Sequence, residues 1–340
     1  MHLRSYFTVL SCLAFLMSCQ KSSDTDPTVS MTGQPAKRAY VAVNESSGEP
    51  VQCSVIKDES FIVGHETVRL GRSKGLPASA NFAMFVSPLA VNTDGAPTSY
   101  HPHDFLGKSL AINRIDNGIA IRKNSSLTLT EKISAFEKWR DSGWTAPAGY
   151  SVSWQNVIAQ DDAGRPCVFA SGPNKGYFGS LTALKNGLLG AVAGECQVAN
   201  QLDQRFIPAI VLRGDTNPLK GFGARTGDLV VALNPASGKS VAAVIGDTGD
   251  GDRIGEGSVA LNMALLGKTL QPKTYADALK LDTGHTDMVV AVLPGTATYN
   301  RVRPYTTANI AERVNSWAKE QGYGSTAGLA RVAQACGTGL

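Results

Sequence analysis

Apolar residues along the chain fall in short β-branched runs rather than at a sustained helical period. The runs are Tyr40–Val43, Ser60–Val63, Phe82–Leu89, Gly118–Ile121, Ile207–Leu212, Asp228–Leu233, Val241–Ile245 and Asp287–Leu293. Most are bounded by Gly, Pro, Asn or Asp, which interrupt a ladder or close a turn, so each predicts a strand. Helical spacing is confined to Ser258–Leu266 and Ala308–Gln321. In the second of these, Ile310, Val314 and Trp317 share one face, and Thr306 or Thr307 supplies a cap. The sum is a mainly β (α+β) chain with a few peripheral helices. Residues near 122–155 read as an insertion carrying Trp139, Trp144 and Trp154, either packed on itself or offering an aromatic platform to sugars.

The N-terminus has a different character. Residues 1–18 place Arg4 before the apolar run Tyr6–Met17, which suits a secretory signal and is too short to cross a bilayer. Leu16-Met17-Ser18-Cys19 resembles a bacterial lipobox, so lipidation of Cys19 is expected, with ordinary secretion as the alternative. The rest of residues 19–38 is polar and rich in Ser, Thr and Pro, and predicts a flexible tether. Residues 39–340 show no internal repeat and no second linker, and read as a single domain. The expected location is the cell envelope, at the outer membrane or the periplasmic face, or outside the cell.

Composition narrows the partners. The 340 residues are 43% hydrophobic, enough for a core, while a net charge of +4 with 18% charged residues gives no basic stripe for nucleic acid. Four of the six cysteines, Cys53, Cys167, Cys196 and Cys336, lie beyond the signal and tether. In an oxidising compartment they predict two disulfides with three possible pairings. The preferred set joins Cys167 to Cys196 locally and Cys53 to Cys336 across the domain. No C-x-x-C occurs, so no metal site is expected.

The most informative segment follows a hydrophobic hairpin. Asp228–Leu233 and Val241–Ile245, joined by a turn at Asn234–Lys239, lead into a glycine-punctuated stretch holding Asp247, Asp250, Asp252 and Glu256. Glu256 is expected at the start of the next helix, where the dipole favours its anion. Two carboxylates on a rigid stem suit paired acid–base chemistry, one protonating a leaving oxygen and the other activating water. Calcium binding and a solvated turn are the alternatives. A regular EF-hand is excluded, because counting from Asp247 places Asp252 at the glycine position and Glu256 at position 10. His101-Pro102-His103 reads as hydrogen bonding or sugar contact rather than as metal ligands. Arg69 stands where a zincin has its second histidine, and no G-x-S-x-G elbow is present.

Several segments together resemble glycoside hydrolase family 75, the fungal-type chitosanases and their bacterial relatives. They are Ile207–Leu212, Gly223–Asp228, Val244–Gly249, Ile254–Ser258, Asn92–Pro102, Gln160–Cys167, Lys175–Ser180 and Val289–Gly295 with the terminal helix. The likeness spans roughly Phe82 to Cys336. It implies endo-hydrolysis of β-1,4-linked glucosamine polymers with inversion, Asp247 and Glu256 being the catalytic pair in either order. It also implies Asp94, Tyr100, His101, Tyr177, Asp250 and Asp252 as substrate-binding residues, no cofactor, and a monomer. A double-psi-like β-barrel core follows by analogy. Val91-Asn92-Thr93 departs from the acids that family members carry before Asp94, which alters the expected subsites. The alternative activities are hydrolysis of peptidoglycan, de-N-acetylated or not, and non-catalytic glycan binding by a lipoprotein.

Overall fold

The computed structural model describes residues 51–61, 66–187, 196, 200–249, 251 and 254–340. All lie within one compact unit, Arg38–Leu340. The signal, Cys19, the tether, the predicted strand Tyr40–Val43 and the acids Asp250 and Asp252 lie outside the described residues.

The architecture is mixed α/β. Eleven described strands are β1 (Cys53–Ser60), β2 (Thr67–Ser73), β3 (Phe82–Ser87), β4 (Ala90–Asn92), β5 (Ala120–Arg122), β6 (Ser151–Ser153), β7 (Ala209–Arg213), β8 (Leu229–Asn234), β9 (Lys239–Gly249), β10 (Glu256–Ser258) and β11 (Met288–Leu293). The helices are α1 (Ile115–Gly118), α2 (Leu129–Asp141), α3 (Pro218–Gly221), α4 (Val259–Leu266), α5 (Tyr275–Leu279), α6 (Thr307–Glu320) and α7 (Thr326–Cys336). Nine strands form one sheet in the order β1-β2-β3-β11-β8-β9-β7-β10-β4, and β5 pairs with β6 apart from it. No closed barrel forms among the described residues.

The centre of the sheet follows from its apolar runs. Leu-Val-Val-Ala-Leu in β8 and Met-Val-Val-Ala-Val-Leu in β11 are buried throughout, as strands covered on both faces must be. Alternation then sorts the side chains into two cores. Leu229, Val231 and Leu233 join α6 and α7 through Ile310, Val314, Trp317 and Leu329. Val230 and Ala232 join Leu261 and Leu265 of α4 on the other face. Helix α6 starts at a capping box between Thr306 and Asn309, and α4 starts at the Ser258 cap and ends at Gly267 in the left-handed region.

A third core belongs to the insertion and is wider than residues 122–155, drawing on Tyr100 through Phe178. Trp139 and Trp154 stack at 4.4 Å between centroids and are 4% and 5% exposed. Trp144 meets both edge-on, so the three rings pack on each other and form no open platform for sugars.

The disulfides are Cys53–Cys336 and Cys167–Cys196, the preferred pairing. Both fit an oxidising compartment. No described helix is long and apolar enough to cross a membrane. The two bridges close loops of very different length, 283 and 29 residues in separation. On the chain-entropy account the longer restrains the unfolded chain more. Replacing both Cys53 and Cys336 with Ala is therefore expected to cost about 3–5 kcal/mol in urea unfolding, and Cys167→Ala with Cys196→Ala about 3 kcal/mol or less.

Candidate functional site

The site is built on one rung of the sheet. Strand β7 lies between β9 and β10, and Asp247 of β9 is registered opposite Val211. Gly257 of β10 faces Ile210 in an antiparallel pair, so Glu256 comes to the level of the same Val211. Two carboxyl-bearing residues thus flank one valine, and all three line the same cleft.

Asp247 reaches the cleft because β9 breaks its alternation. Ala243 and Ile245 face one core and Ala242 and Val244 the other, so a regular strand would send residue 247 into the core with Ile245. The β7–β9 register instead shifts between Ile210 and Val211, passing over Gly246. An extra residue in one strand moves the next side chain to the opposite face. Only glycine fits at the bulge, since a Cβ there would lie 2.6 Å from Ala209 Cβ and 2.7 Å from Leu202 Cδ2.

Glu256 sits on β10, two residues before the helix cap at Ser258, and not at the helix start as its sequence position suggests. Parallel pairing with β4 fixes it opposite Ala90. Its Oε1 accepts a hydrogen bond from Asn92 Nδ2 at 3.0 Å, and its Oε2 lies 3.3 Å from Arg213 Nε. Asn92 cannot turn freely, because its Oδ1 accepts the Asp94 N–H at 2.6 Å. On the other side, Asp247 Oδ1 accepts the backbone N–H groups of Ala183 (2.9 Å) and Thr248 (2.8 Å).

These surroundings act on both acids. Burial pushes the Asp247 carboxyl up to about 7; repulsion from Glu256 adds to this, while the two N–H groups and Lys185 oppose it. Burial also raises Glu256, but the Arg213 guanidinium and the Asn92 amide hold it down. Asp94 is a third carboxyl in the cleft, raised well above the usual range by burial and by Asp247. Its Oδ1 accepts the Tyr100 hydroxyl at 2.7 Å, and Tyr100 accepts from Asn113 Nδ2 at 2.9 Å.

The cleft has a volume of about 670 Å³ and a mostly polar lining that includes Asn156, Lys185, Arg213 and Lys220. Of the sequence-predicted residues, Asp94, Asp247 and Glu256 come together there. Tyr100 is fully buried behind Asp94 and supports it. His101 and Tyr177 meet edge-on at 4.8 Å and do not line the cleft; the Tyr177 hydroxyl donates to Leu110 O at 2.6 Å. His103 stands beside His101, with ring centroids 5.9 Å apart, and Asp104 is occupied by four backbone N–H groups of residues 108–111. Asn92, Lys185 and Arg213 were not singled out from sequence. Only Asn92 carried a signal, as the amide standing where acids were expected.

No family model matches the chain, and no curated protein matches it.

Three outcomes follow from the rung. Gly246→Ala is expected to cost about 1–3 kcal/mol by overpacking, read by urea unfolding. The second concerns pH. The folded-state pKa of Asp247 exceeds its unfolded value, so the folded protein holds the proton more tightly between about pH 4 and 7. Stability contributed by that proton is present at low pH and is lost as pH rises through the window. Asp247→Asn should match the wild type near pH 4 and exceed it near pH 8 by an amount on the order of a few kcal/mol. Glu256→Gln should lower the Asp247 pKa, as read by carboxyl-carbon NMR titration.

Proposed function

We propose that the protein is an inverting, endo-acting glycoside hydrolase of β-1,4-linked glucosamine polymers, chitosanase-like, with Asp247 as general acid and Glu256 as general base. The observation that carries this reading is the rung Asp247–Val211–Glu256, with its two differently tuned carboxyls. Asp247, buried and raised to about 7, keeps a proton at mildly acidic pH and gives it to the glycosidic oxygen as the C1–O bond breaks. Glu256, whose anion is stabilised by Arg213 and Asn92, takes a proton from the water whose oxygen bonds to C1 from the opposite face. Two strand spacings separate the backbones of β9 and β10, about 9–10 Å. Backbones at that spacing leave room for carboxyls about 6.5–9.5 Å apart, the gap that inverting enzymes leave for water.

The resemblance to glycoside hydrolase family 75 supports the same assignment. A double-psi-like core stays part of the proposal by analogy with that family, and the sheet contains two parallel pairs, β4–β10 and β7–β9. Delivery to the cell envelope, with a lipid at Cys19, belongs to this proposal and would hold a monomer near its polymer. One observation favours a second reading: Lys185, Arg213 and Lys220 line the cleft beside the acids. Those cations would suit the carboxylates of peptidoglycan.

The test uses the chain from Ala39 onward on chitosan and on normal and deacetylated sacculi. Reducing ends should appear with the α-anomer formed first by NMR. Asp247→Asn and Glu256→Gln should each lower the rate at least 10³-fold, roughly the scale of a lost acid–base group, with no fall in thermal midpoint. Full activity in both variants refutes the assignment. Retention on glycan without hydrolysis by the wild type leaves a binding protein.

A further inference from the structure

The backbone N–H that Asp247 accepts from Ala183 belongs to a peptide group whose other end is also engaged. The Ala183 N–H and the Thr182 carbonyl are the two ends of one amide plane. Asp247 Oδ1 accepts from the first at 2.9 Å, and Thr182 O accepts from the Lys185 ammonium at 2.8 Å. Lys185 therefore reaches Asp247 through a single peptide group, with the cation at the negative end of its dipole and the carboxyl at the positive end. In a chain of hydrogen bonds each one polarises the next, so a cation on the carbonyl makes the N–H a stronger donor.

The ammonium is held in that position by Gln201, which is 4% exposed. Its Oε1 accepts from Lys185 Nζ at 2.8 Å and from the Thr182 N–H at 2.9 Å, so it grips the chain on both sides of Ala183. The Thr182 hydroxyl ties down the same stretch, donating to Leu184 O at 2.9 Å and accepting the Leu202 N–H at 3.0 Å. Lys185 and Gln201 also pair through their backbones as an antiparallel bridge. Gln201 itself is neutral, and no hydrogen bond joins its side chain to Asp247 among the described residues.

We propose that Lys185 and Gln201 are positioning residues for the proposed acid: Gln201 holds the ammonium on the Thr182 carbonyl, and the Thr182–Ala183 peptide passes its charge to the Asp247 carboxyl. The role of Asp247 as acid rests on the hydrolase reading; the link itself rests on the hydrogen bonds alone. Breaking the link leaves the Asp247 anion less stabilised, so the proton is held more tightly and the carboxyl titrates at higher pH. The other ionisable groups around the cleft are Asp94 with Tyr100 behind it, Glu256, Arg213, Asp215 and Lys220, and all stay unchanged in the variants that test the link.

The experiment titrates the Asp247 carboxyl carbon by NMR in the purified protein and in Lys185→Met, Gln201→Met and the double variant. Lys185→Met should raise the midpoint by at least about half a pH unit, roughly a three-fold change in the acid constant. Gln201→Met, which removes no charge, should move it in the same direction, and the double variant should move it no further than Lys185→Met alone. Lys185→Arg, which keeps a cationic donor, should keep the wild-type midpoint. An unmoved midpoint in Gln201→Met, or a double variant equal to the sum of the two, overturns the inference, because Lys185 would then act through space. Should Gln201→Met not fold, the Ala183 amide proton in Lys185→Met reads the same link. It should move upfield as its hydrogen bond to Asp247 weakens, and Lys185→Arg should return it; an unmoved signal overturns the inference. The hydrolase reading is judged separately. Where chitosan is cleaved, the alkaline limb of kcat/KM should move up in pH with the Asp247 midpoint. A limb that stays while the midpoint moves removes Asp247 from the acid role and leaves the link intact.

Discussion

A strand that runs through the middle of a sheet, buried on both faces, has no regular way to present a carboxylate to a cleft beside the core. Strand β9 meets this constraint with one extra residue. Gly246 occupies the shift in register against β7, and Asp247 emerges on the face where Val211 and Glu256 already point. The tight contacts of Gly246 with Ala209 and Leu202 tie that shift to the core, so the acid inherits the rigidity of the central strands. The cleft, the burial of the acid and its raised pKa all follow from this displacement.

Gathering three carboxyls in one cleft is electrostatically unfavourable, and each is stabilised by different means. Asp247 receives two backbone N–H groups, Glu256 a guanidinium and an amide, and Asp94 a phenol. Asn92 links two of them, accepting the Asp94 N–H with one end of its amide and donating to Glu256 with the other. An acid at position 92 would face Glu256 directly, and one of the pair would have to take up a proton. The amide avoids this, which gives the departure from the expected acidic run before Asp94 a physical role.

Much of this was legible in the sequence. The apolar runs of β3, β7, β8, β9 and β11 identified the centre of the sheet, because strands buried on both faces read as continuous hydrophobic stretches. The outer strands were not legible. In β1 the residues Val55 to Asp58 are exposed, and the apolar run at Ser60–Val63 marks only its end. Strands β4, β6 and β10 are three residues long, and their pairing partners, not their composition, define them. That is why Glu256 was read as the start of a helix: Glu-Gly-Ser before an apolar run looks like a cap, and the cap is indeed Ser258. The bulge was invisible for a related reason. Gly246-Asp247 is an ordinary dipeptide until the register of β7 shows which face each residue takes. Arg213 left no trace either, since a single arginine after an apolar run marks only a strand end.

The insertion supports the Asp247 carboxyl in a way that its sequence did not suggest. Of the two readings of its tryptophans, packed on themselves or open to sugars, the structure shows the first: they form a separate core that stiffens the segment behind Asp94. That segment returns to the sheet at Leu181–Asn186. There Ala183 donates to Asp247, Leu184 N–H reaches Gly246 O at 3.0 Å, and the Cys167–Cys196 bridge joins the chain on either side. The acid is therefore hydrogen-bonded both by its own strand and by a body with an independent core. A backbone N–H delivered by a mobile loop would come and go, and the Asp247 pKa would follow it. Delivered by a packed and cross-linked segment, it keeps the carboxyl in one environment, as the proposed acid role requires.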